Sequence, residues 1–227
     1  MPISLFEKFP PPRPVNDQVR TMAGEYVTDL GKLAIPSSNR LYEYQQWVQS
    51  VEVDLFLELI GENHEAPVEA LIAFDDTRPD LVVGFLIYSP VASDPGACGV
   101  SYMAVRKSHR GKGLGRSLIT QMVARYPHAE LTCPVGLVGF YEKLGFNVLD
   151  VDETQVVMNT RSASSKGQMA VLNVSIIHSS AQAQSYQRQL EQRWGRDAMA
   201  ESVFLLDQHV QDLSRRAASF VRDRLGK

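Results

Sequence analysis

The sequence predicts a mixed α/β fold, on two observations. Apolar runs typical of strands alternate with segments of helical periodicity, in the order strands, helix, strand, helix, strands, up to about residue 160. The 227 residues are 44% hydrophobic and 22% charged, a composition that excludes a disordered or fibrous chain. A chain of this length buries a sizeable core without disulfide or metal staples.

The N-terminal quarter predicts an arm followed by helices. Residues 1–15 contain five prolines, which remove backbone donors and exclude a helix, so we expect a lead-in arm. Apolar residues then recur at helical spacing from Asp17 to Leu33, which predicts a first helix. Residues 41–59 are ambiguous, because they begin with a helical pattern and end with an alternation that also fits a strand through 53–57.

The middle of the chain predicts most of the sheet. Residues 68–74 and 81–88 are apolar and flank a turn-forming segment, a pattern typical of an antiparallel hairpin. Residues 94–96 predict a plain turn, and residues 99–105 the next strand. Five further elements are predicted in chain order: a helix at 114–123, a strand at 129–133, a helix at 137–144 and a pair of strands at 146–158.

A C-terminal extension at residues 169–227 follows a linker at residues 161–168, which has three serines and a glycine. Its start, residues 169–178, fits a strand, and the remainder has helical periodicity. Seven apolar residues share one seam of a single helix: Met199, Val203, Leu206, Val210, Leu213, Ala217 and Phe220. The seam packs either on the chain's own core or on a second subunit. The sequence therefore leaves open whether the chain forms a homodimer through these helices.

Charge and cysteine usage exclude several classes of protein. Residues 1–159 carry 13 Lys and Arg against 20 Asp and Glu, a net charge of -7, whereas residues 160–227 carry 10 against 6, a net charge of +4. Coating of nucleic acid is therefore not expected. Cys98 and Cys133 form no metal-ligand pattern, which predicts reduced thiols and no metal site. No secretory signal or membrane-length apolar run occurs, so we expect a cytoplasmic protein without membrane contact.

The segment after the strand at 99–105 is the most informative one. Gly111, Gly113 and Gly115 stand at alternate positions before an amphipathic helix, where glycine permits a tight turn and the free N–H groups of the helix start bind an anion. Three basic residues surround this turn: Arg110, Lys112 and Arg116. A pyrophosphate fits better than a carboxylate, because several N–H bonds must share the binding. Neither Walker spacing nor GxGxxG order is present, and a tight connection without a ligand is the alternative.

Two motifs resemble the GCN5-related N-acetyltransferase (GNAT) superfamily. Residues 110–115, RGKGLG, match its R/Q-x-x-G-x-G/A signature, and residues 140–146, FYEKLGF, resemble its second hallmark. With the preceding hairpin, the resemblance covers about residues 16–158. It implies a GNAT-type α/β (α+β) fold, with a mixed, mostly antiparallel sheet flanked by helices in a domain at residues 16–160, followed by the C-terminal strand and helical extension.

The resemblance also implies an acetyl-CoA-dependent N-acetyltransferase and assigns its site. In that family the glycine turn binds the pyrophosphate of acetyl-CoA, and the preceding strand pairs with the pantetheine arm and the acetyl carbonyl. The residues that match these positions are Met103, Ala104, Val105, Arg110, Gly111, Lys112, Gly113, Leu114, Gly115 and Arg116. Tyr141 matches the tyrosine that commonly protonates the coenzyme A thiolate, and an aromatic wedge is the alternative role for it.

The chain departs from the family pattern at three positions. Pro134 and Leu137 stand where the family often has asparagine and alanine, which puts the asparagine contact to the pantetheine arm in doubt. Gly99 stands where histone-type members carry a carboxylate, so no direct general base is assigned, and a water chain is the substitute. Strand alternation places one of Ser101 and Tyr102 towards the substrate. We expect His109 to be a solvated loop histidine.

The predicted function is direct transfer of an acetyl group from acetyl-CoA to a primary amine of a small molecule or peptide. Neither cysteine has a position that indicates a covalent acyl intermediate. A non-catalytic coenzyme A-binding module that uses its C-terminal helices for interaction is the alternative. Acetylation of charged tRNA is disfavoured by the negative charge of residues 1–159. The sequence does not identify the acceptor.

Overall fold

The computed structural model describes residues 1–63, 65–167 and 169–226, which form a sheet with helices on both faces. The strands among them are β1 (Ile3–Phe6), β2 (Glu69–Phe74), β3 (Val82–Val91), β4 (Asp94–Val105), β5 (His128–Cys133), β6 (Asn147–Asp152) and β7 (Gln155–Asn159). The helices are α1 (Arg13–Glu25), α2 (Val27–Leu30), α3 (Tyr42–Glu58), α4 (Leu114–Arg125), α5 (Val138–Glu142), α6 (Ser175–Ser179), α7 (Ala181–Trp194) and α8 (Arg196–Leu225).

The seven strands form one sheet in the order β1-β2-β3-β4-β5-β7-β6. All neighbouring strands are antiparallel except β4 and β5, which are parallel and are joined through α4. A parallel pair requires such a crossover connection, whereas the antiparallel pairs β2–β3, β3–β4 and β6–β7 are joined by short turns. The mixed, mostly antiparallel sheet flanked by helices that the sequence predicts is confirmed.

The central strand β3 is buried along its whole length because helices cover both faces of the sheet. Its alternate side chains enter two different cores. Phe85 and Ile87 lie in the core formed with α1 and α3, whereas Leu86 and Tyr88 lie in the core formed with α4 and α5. The glycine turn before α4 and the helix α3 therefore lie on opposite faces of the same sheet.

Strands β4 and β5 separate after a short paired stretch. The described pairing joins Ala97, Cys98 and Gly99 to residues 128–130, although β4 continues to Val105 and β5 to Cys133. A β-bulge lies just beyond: Ile87 pairs with Tyr102 and Tyr88 pairs with Val100, which leaves Ser101 without a partner on β3. The C-terminal halves of the two strands consequently border a gap in the sheet.

The C-terminal extension packs on its own chain. Leu206 of α8 is buried with Val27 and Ile35, and Val221, near the end of the same helix, enters the core on the α4 side of the sheet. Arg224 also bonds Glu142 of α5. Of the predicted seam, Leu206 and Ala217 are buried, four residues are half-buried and Val203 is 47% exposed. Part of the seam therefore packs on the chain's own core.

The N-terminal arm belongs to the sheet and the first helix. Residues 3–6 pair with residues 70–73 as the edge strand β1, and α1 begins at Arg13, inside the segment expected to be non-helical. Pro14 is tolerated there because the first turn of a helix has no intrahelical acceptor for its missing N–H. The expected single helix from Asp17 to Leu33 is two helices, α1 and α2.

Three other expectations are wrong. The possible strand within residues 41–59 is part of the single helix α3, whose buried side chains recur at helical spacing. The turn expected at residues 94–96 is the beginning of β4, and the chain reverses at residues 92–93. The described part of 169–178 contains no strand: it begins irregularly and ends in α6.

None of the helices in the described ranges has the length and apolar character needed to cross a bilayer.

Candidate active site

The glycine turn has the backbone conformation that only glycine adopts easily. Gly111 and Gly113 have φ values of +76° and +82°, and Gly113 is the residue that precedes α4. A Cβ atom added to either residue would meet no heavy atom within 4 Å, so the surface above the turn is open. Gly115 lies in the first turn of α4, where an added Cβ would contact Phe140 at 3.5 Å.

Six consecutive backbone N–H groups in this turn are free to bind an anion. None of the N–H groups of residues 111–116 donates to another residue within the described ranges, and the first such bond runs from Ser117 N to Gly113 O at 3.0 Å. No side chain caps the start of α4. Unsatisfied N–H groups and the helix dipole together favour a negatively charged ligand at this position.

The three basic side chains around the turn differ in their surroundings. Arg110 donates from Nε to the Val105 carbonyl at 3.0 Å and from Nη2 to Asp29 at 3.0 Å, and its guanidinium lies 5.0 Å from the centroid of the Tyr26 ring. Lys112 and Arg116 are exposed and form no ion pair with the residues that the structure describes. Arg110 therefore fixes the turn to β4 and α2, whereas Lys112 and Arg116 remain available to an anion.

Backbone groups of residues 103–105 lie along the gap between β4 and β5. Met103 pairs with Leu86 of β3, and on the other side of β4 the described pairing with β5 has already ended. The side chains of Met103 and Val105 pack against the core on the α4 side, whereas Ala104 is buried on the α3 side. A split of this kind in a sheet suits an extended ligand that adds to β4 like a strand.

Tyr141 is buried beside Phe140, the residue that a Cβ atom at Gly115 would contact. Its side chain is in α5 and is 5% exposed, and its ring lies 5.0 Å from the Phe140 ring and 5.7 Å from the Phe146 ring, measured between centroids. Burial raises the pKa of the Tyr141 phenol well above its usual value, so the group is protonated at neutral pH. Its hydroxyl has no hydrogen-bond partner within the described ranges. The packing fits the wedge role, and the free hydroxyl fits the proton-donor role.

A cavity of about 630 Å³ begins where β4 and β5 separate. Residues 99–102 and 130–132 of the two strands form its floor, α3 forms one wall, and residues 169–172 with His178 form another. Two buried polar atoms in its lining, Nε2 of Gln49 and Oγ of Ser101, have no hydrogen-bond partner within the described ranges. The cavity is therefore suited to a ligand that brings polar groups of its own.

Glu52 of α3 lines this cavity, and sequence reasoning missed it. Burial raises the pKa of its carboxyl group, while the Tyr102 hydroxyl and His178 act in the opposite direction. His178 Nδ1 lies 2.7 Å from the Tyr44 hydroxyl, which ties α6 to α3. The signal that could have identified Glu52 is the helical spacing of α3, which places Gln49 and Glu52 on one face three residues apart.

Both residues of the predicted pair at 101 and 102 line the cavity. The alternation expected for an undisturbed strand would turn only one of them towards it, but the bulge at Ser101 interrupts that alternation. Gly99 also lines the cavity, and a Cβ atom there would clash with the Met169 Sδ. The thioether of the extension thus occupies the space beside the position where histone-type members carry a carboxylate.

Three further side chains have surroundings that bear on their roles. His109 is 7% exposed rather than solvated, because its Nε2 lies 2.8 Å from Asp75 Oδ2 and its Nδ1 lies 2.9 Å from Ser108 Oγ. Cys98 and Cys133 are free and buried, and burial raises the pKa of each thiol to about 12. Neither cysteine forms a thiolate at neutral pH, so neither is an effective nucleophile.

Comparisons with known proteins agree with this fold. Residues 67–148 match the family model described as the acetyltransferase (GNAT) domain. The PaiA N-acetyltransferase from Thermoplasma acidophilum, solved in complex with coenzyme A, is similar to this chain at 17% identity and a TM-score of 0.52, over 71% of this chain and 99% of its own. An acyl-CoA N-acyltransferase from Pseudomonas aeruginosa is similar at 12% identity and a TM-score of 0.50, over 71% of this chain and 100% of its own. These two likenesses show the fold alone, and no curated protein sequence matches.

Proposed function

The domain at residues 67–148 belongs to the GNAT acetyltransferase family, and we propose that the protein transfers an acetyl group from acetyl-CoA to a primary amine of a small molecule or a peptide. The observation that carries this proposal is the row of six free N–H groups at residues 111–116, in front of a helix and beside a gap in the sheet. A diphosphate at the turn and an extended arm in the gap account for both features.

The residues of the turn fit the pyrophosphate of acetyl-CoA. The N–H groups of residues 111–116 supply the hydrogen bonds, and the open space at Gly111 and Gly113 lets the ligand approach the backbone. The exposed side chains of Lys112 and Arg116 add positive charge, and Arg110 holds the turn against β4. When bound, acetyl-CoA supplies the acetyl group as an activated thioester.

Residues of the gap and of α5 supply the remaining functions. Main-chain groups of Met103, Ala104 and Val105 hold the pantetheine arm, and a main-chain N–H among them polarises the acetyl carbonyl. Tyr141 gives a proton to the departing sulfur, a role for which its raised pKa keeps the phenol protonated. Transfer is direct within a ternary complex, because the buried and protonated thiols of Cys98 and Cys133 disfavour an acylated cysteine.

Calorimetry and a turnover assay together test the proposed function. Acetyl-CoA and coenzyme A are titrated into the full chain, and release of free thiol is then followed with polyamines, amino acids, aminoglycosides and peptides with free N-termini. We expect heat of binding with both nucleotides and thiol release with at least one amine class. No heat with either nucleotide would show the proposal to be wrong. Rapid quench that traps an acyl group on either cysteine would overturn the direct-transfer step.

The non-catalytic alternative receives less support from the structure. It requires a free apolar face on the C-terminal helices, and α8 offers only the exposed side chains of Val203, Phe204 and Leu205, because Leu206 and Ala217 of the seam are buried in the chain's own core. Binding of acetyl-CoA without turnover of any amine would nevertheless favour this alternative, so the same assay separates the two functions.

A further inference from the structure

We propose that the 630 Å³ cavity is the acceptor site and that Glu52 binds the ammonium group of the acceptor and removes its proton. This inference rests on the proposed acetyl transfer, because the cavity adjoins the strand residues expected to hold the acetyl group. It also assigns a base to a chain in which Gly99 stands at the position where histone-type members carry a carboxylate.

The first support for the inference is the position of the cavity on β4. Its floor includes Ser101 and Tyr102 of β4, and the residues proposed to hold the acetyl group, 103–105, follow directly on the same strand. The pairing of β4 with β5 ends at Gly99, so the floor of the cavity and the gap are continuous along β4. An amine in the cavity and a thioester in the gap would meet at the bulge, which is a common position for an active site.

The charges of the cavity support a cationic acceptor. Three carboxylates, Glu52, Glu130 and Asp152, and one ammonium group, Lys32, are part of its lining. Lys32 is already paired with Asp152 at 2.7 Å, and Glu130 accepts a hydrogen bond from Asn159 at 3.3 Å. Glu52 forms no ion pair with Lys or Arg within the described ranges. A partly buried carboxylate without a cationic partner is stabilised by a bound ammonium group.

Two unpartnered polar atoms in the same cavity as Glu52 indicate a second polar group on the acceptor. Gln49 is 5% exposed, lies three residues before Glu52 on α3 and has a buried Nε2 without an acceptor in the described part of the chain. Ser101 Oγ is equally without a partner on the cavity floor. Since buried donors are normally satisfied, we infer that the acceptor carries a carbonyl or hydroxyl oxygen close to its ammonium group.

The C-terminal extension completes this site from outside the matched domain. Met169 lies beside Gly99, and Ala170 is 6% exposed and packs into the core on the α3 side. His178 lines the cavity and is held by its 2.7 Å contact with the Tyr44 hydroxyl. Residues 169–178 therefore help to set the shape of the acceptor site, in addition to packing against the domain.

The proton balance of the reaction follows from these positions. The Glu52 carboxylate takes one proton from the acceptor ammonium group, which frees the nitrogen lone pair. The nitrogen then forms a bond to the carbonyl carbon of the thioester, and the carbon–sulfur bond breaks with its electron pair on sulfur. Tyr141 protonates that sulfur and is reprotonated by the second proton that the nitrogen loses. The products are an amide, coenzyme A as a thiol and one proton that passes from Glu52 to solvent.

The substitution Glu52→Gln tests the role of the carboxylate. It keeps the shape and removes the charge, and Glu58→Gln is the matched control, because Glu58 is exposed at the end of the same helix. We expect Glu52→Gln to bind acetyl-CoA like the wild type in calorimetry and to lose about 10²- to 10⁴-fold in kcat/KM for the best amine of the panel. Glu58→Gln should change neither quantity. Equal kcat/KM in Glu52→Gln and the wild type would overturn the inference.

The pH profile separates a base from a residue that only shapes the cavity. Because burial raises the pKa of Glu52, wild-type kcat/KM should fall on acidification at a pH above the ordinary carboxyl value of 4.5. The charged and titratable groups that face Glu52 or line the cavity are Tyr102 of β4, His178 of α6, Glu130 of β5, Asp152 of β6 and Lys32 before α3. In Glu52→Gln this acid limb should be absent from the residual activity, and its persistence would overturn the assignment.

A measurement on the wild type keeps the inference testable if Glu52→Gln does not fold. The best amine and its analogue with a hydroxyl group in place of the amino group are each titrated into the chain saturated with coenzyme A. We expect the amine to bind at least ten-fold more tightly, and equal affinities would overturn the inference. If acetyl-CoA binds but no amine class is turned over, the acceptor assignment is wrong although the nucleotide site stands. If acetyl-CoA does not bind, the proposed function itself fails.

Discussion

His109 Nε2 lies 2.8 Å from Asp75 Oδ2, and this contact joins the β2–β3 turn to the segment that enters the glycine turn. His109 is nearly buried, and its other ring nitrogen lies 2.9 Å from Ser108 Oγ. The backbone that leads from β4 into the proposed pyrophosphate site is therefore fixed from the side by a turn more than thirty residues earlier in the chain. The rigidity of an anion site built from backbone N–H groups depends on such support.

Substitution of Asp75 by asparagine should destabilise the fold in a pH-dependent manner. Hydrogen bonds from Thr77 and the contact with His109 hold the pKa of Asp75 well below its usual value of 3.8. A lowered folded-state pKa stabilises the fold above the unfolded-state value, and this stabilisation is lost as the pH falls below it. Asp75→Asn should therefore unfold at lower urea concentration than the wild type at pH 7, and the difference should narrow below about pH 4.

Asp80→Asn is the matched control for this experiment. Asp80 is exposed in the same turn, and its carboxylate makes no hydrogen bond or ion pair with residues in the described ranges. Its urea midpoint should equal that of the wild type at both pH values. A difference between Asp75→Asn and the wild type that is the same at pH 3 and pH 7 would contradict the assigned cause.

The two glycines on either side of the start of α4 should respond oppositely to alanine. Gly113 has φ +82°, so Gly113→Ala should cost about 1–2 kcal/mol of backbone strain and weaken acetyl-CoA binding. Gly115 has a negative φ in the first turn of α4, and an added methyl group would make ordinary contacts with Phe140 and Val105. Gly115→Ala should leave stability unchanged or raise it by up to about 1 kcal/mol.

Urea unfolding and calorimetry with acetyl-CoA distinguish the two glycine variants. The family signature admits alanine at the position of Gly115, so we expect this variant to keep its affinity for acetyl-CoA. An equal loss of affinity in both variants would mean that crowding by the methyl group, and not the left-handed conformation of Gly113, determines binding.

Removal of the Tyr141 hydroxyl should affect the rate and not the fold. The hydroxyl makes no hydrogen bond within the described ranges, and the ring packs between Phe140 and Phe146, so Tyr141→Phe keeps the aromatic contacts. If the phenol protonates the departing sulfur, kcat should fall by about 10²- to 10⁴-fold while the dissociation constant of acetyl-CoA stays the same. An unchanged kcat across the pH range would mean that Tyr141 acts only through the packing of its aromatic ring.

Local sequence patterns were sufficient where neighbouring residues determine the structure. The glycine turn is an example: positive φ at Gly111 and Gly113 is a property of those residues themselves, and the structure has it. The hairpin of β2 and β3 is another, because two apolar runs flank a turn-forming segment. The conformation of the glycine turn and the pairing of the hairpin could therefore be predicted from the sequence.

Local patterns failed where distant residues determine the environment. Val53, Leu55 and Leu57 alternate like a strand, but packing against α1 selects the helical conformation of α3 and brings Glu52 into the cavity. His109 has no feature that separates it from a solvated loop histidine until Asp75 is placed beside it. The acceptor cavity is likewise formed by α3, two strands and the extension, none of which adjoins the others in sequence.

Two neighbouring leucines of α8 test whether the extension is part of one core or a subunit interface. Leu206 is 7% exposed and packs with Val27 and Ile35, so Leu206→Ala should lower the free energy of unfolding by about 2–5 kcal/mol in urea titration. Leu205 is 50% exposed, and Leu205→Ala should stay within about 0.5 kcal/mol of the wild type. The opposite ranking, together with a concentration-dependent midpoint and dissociation of a dimer by Leu205→Ala in gel filtration, would mean that α8 forms a subunit interface through its exposed face. The expected ranking instead makes the extension a structural part of the chain that holds residues 169–178 at the acceptor cavity.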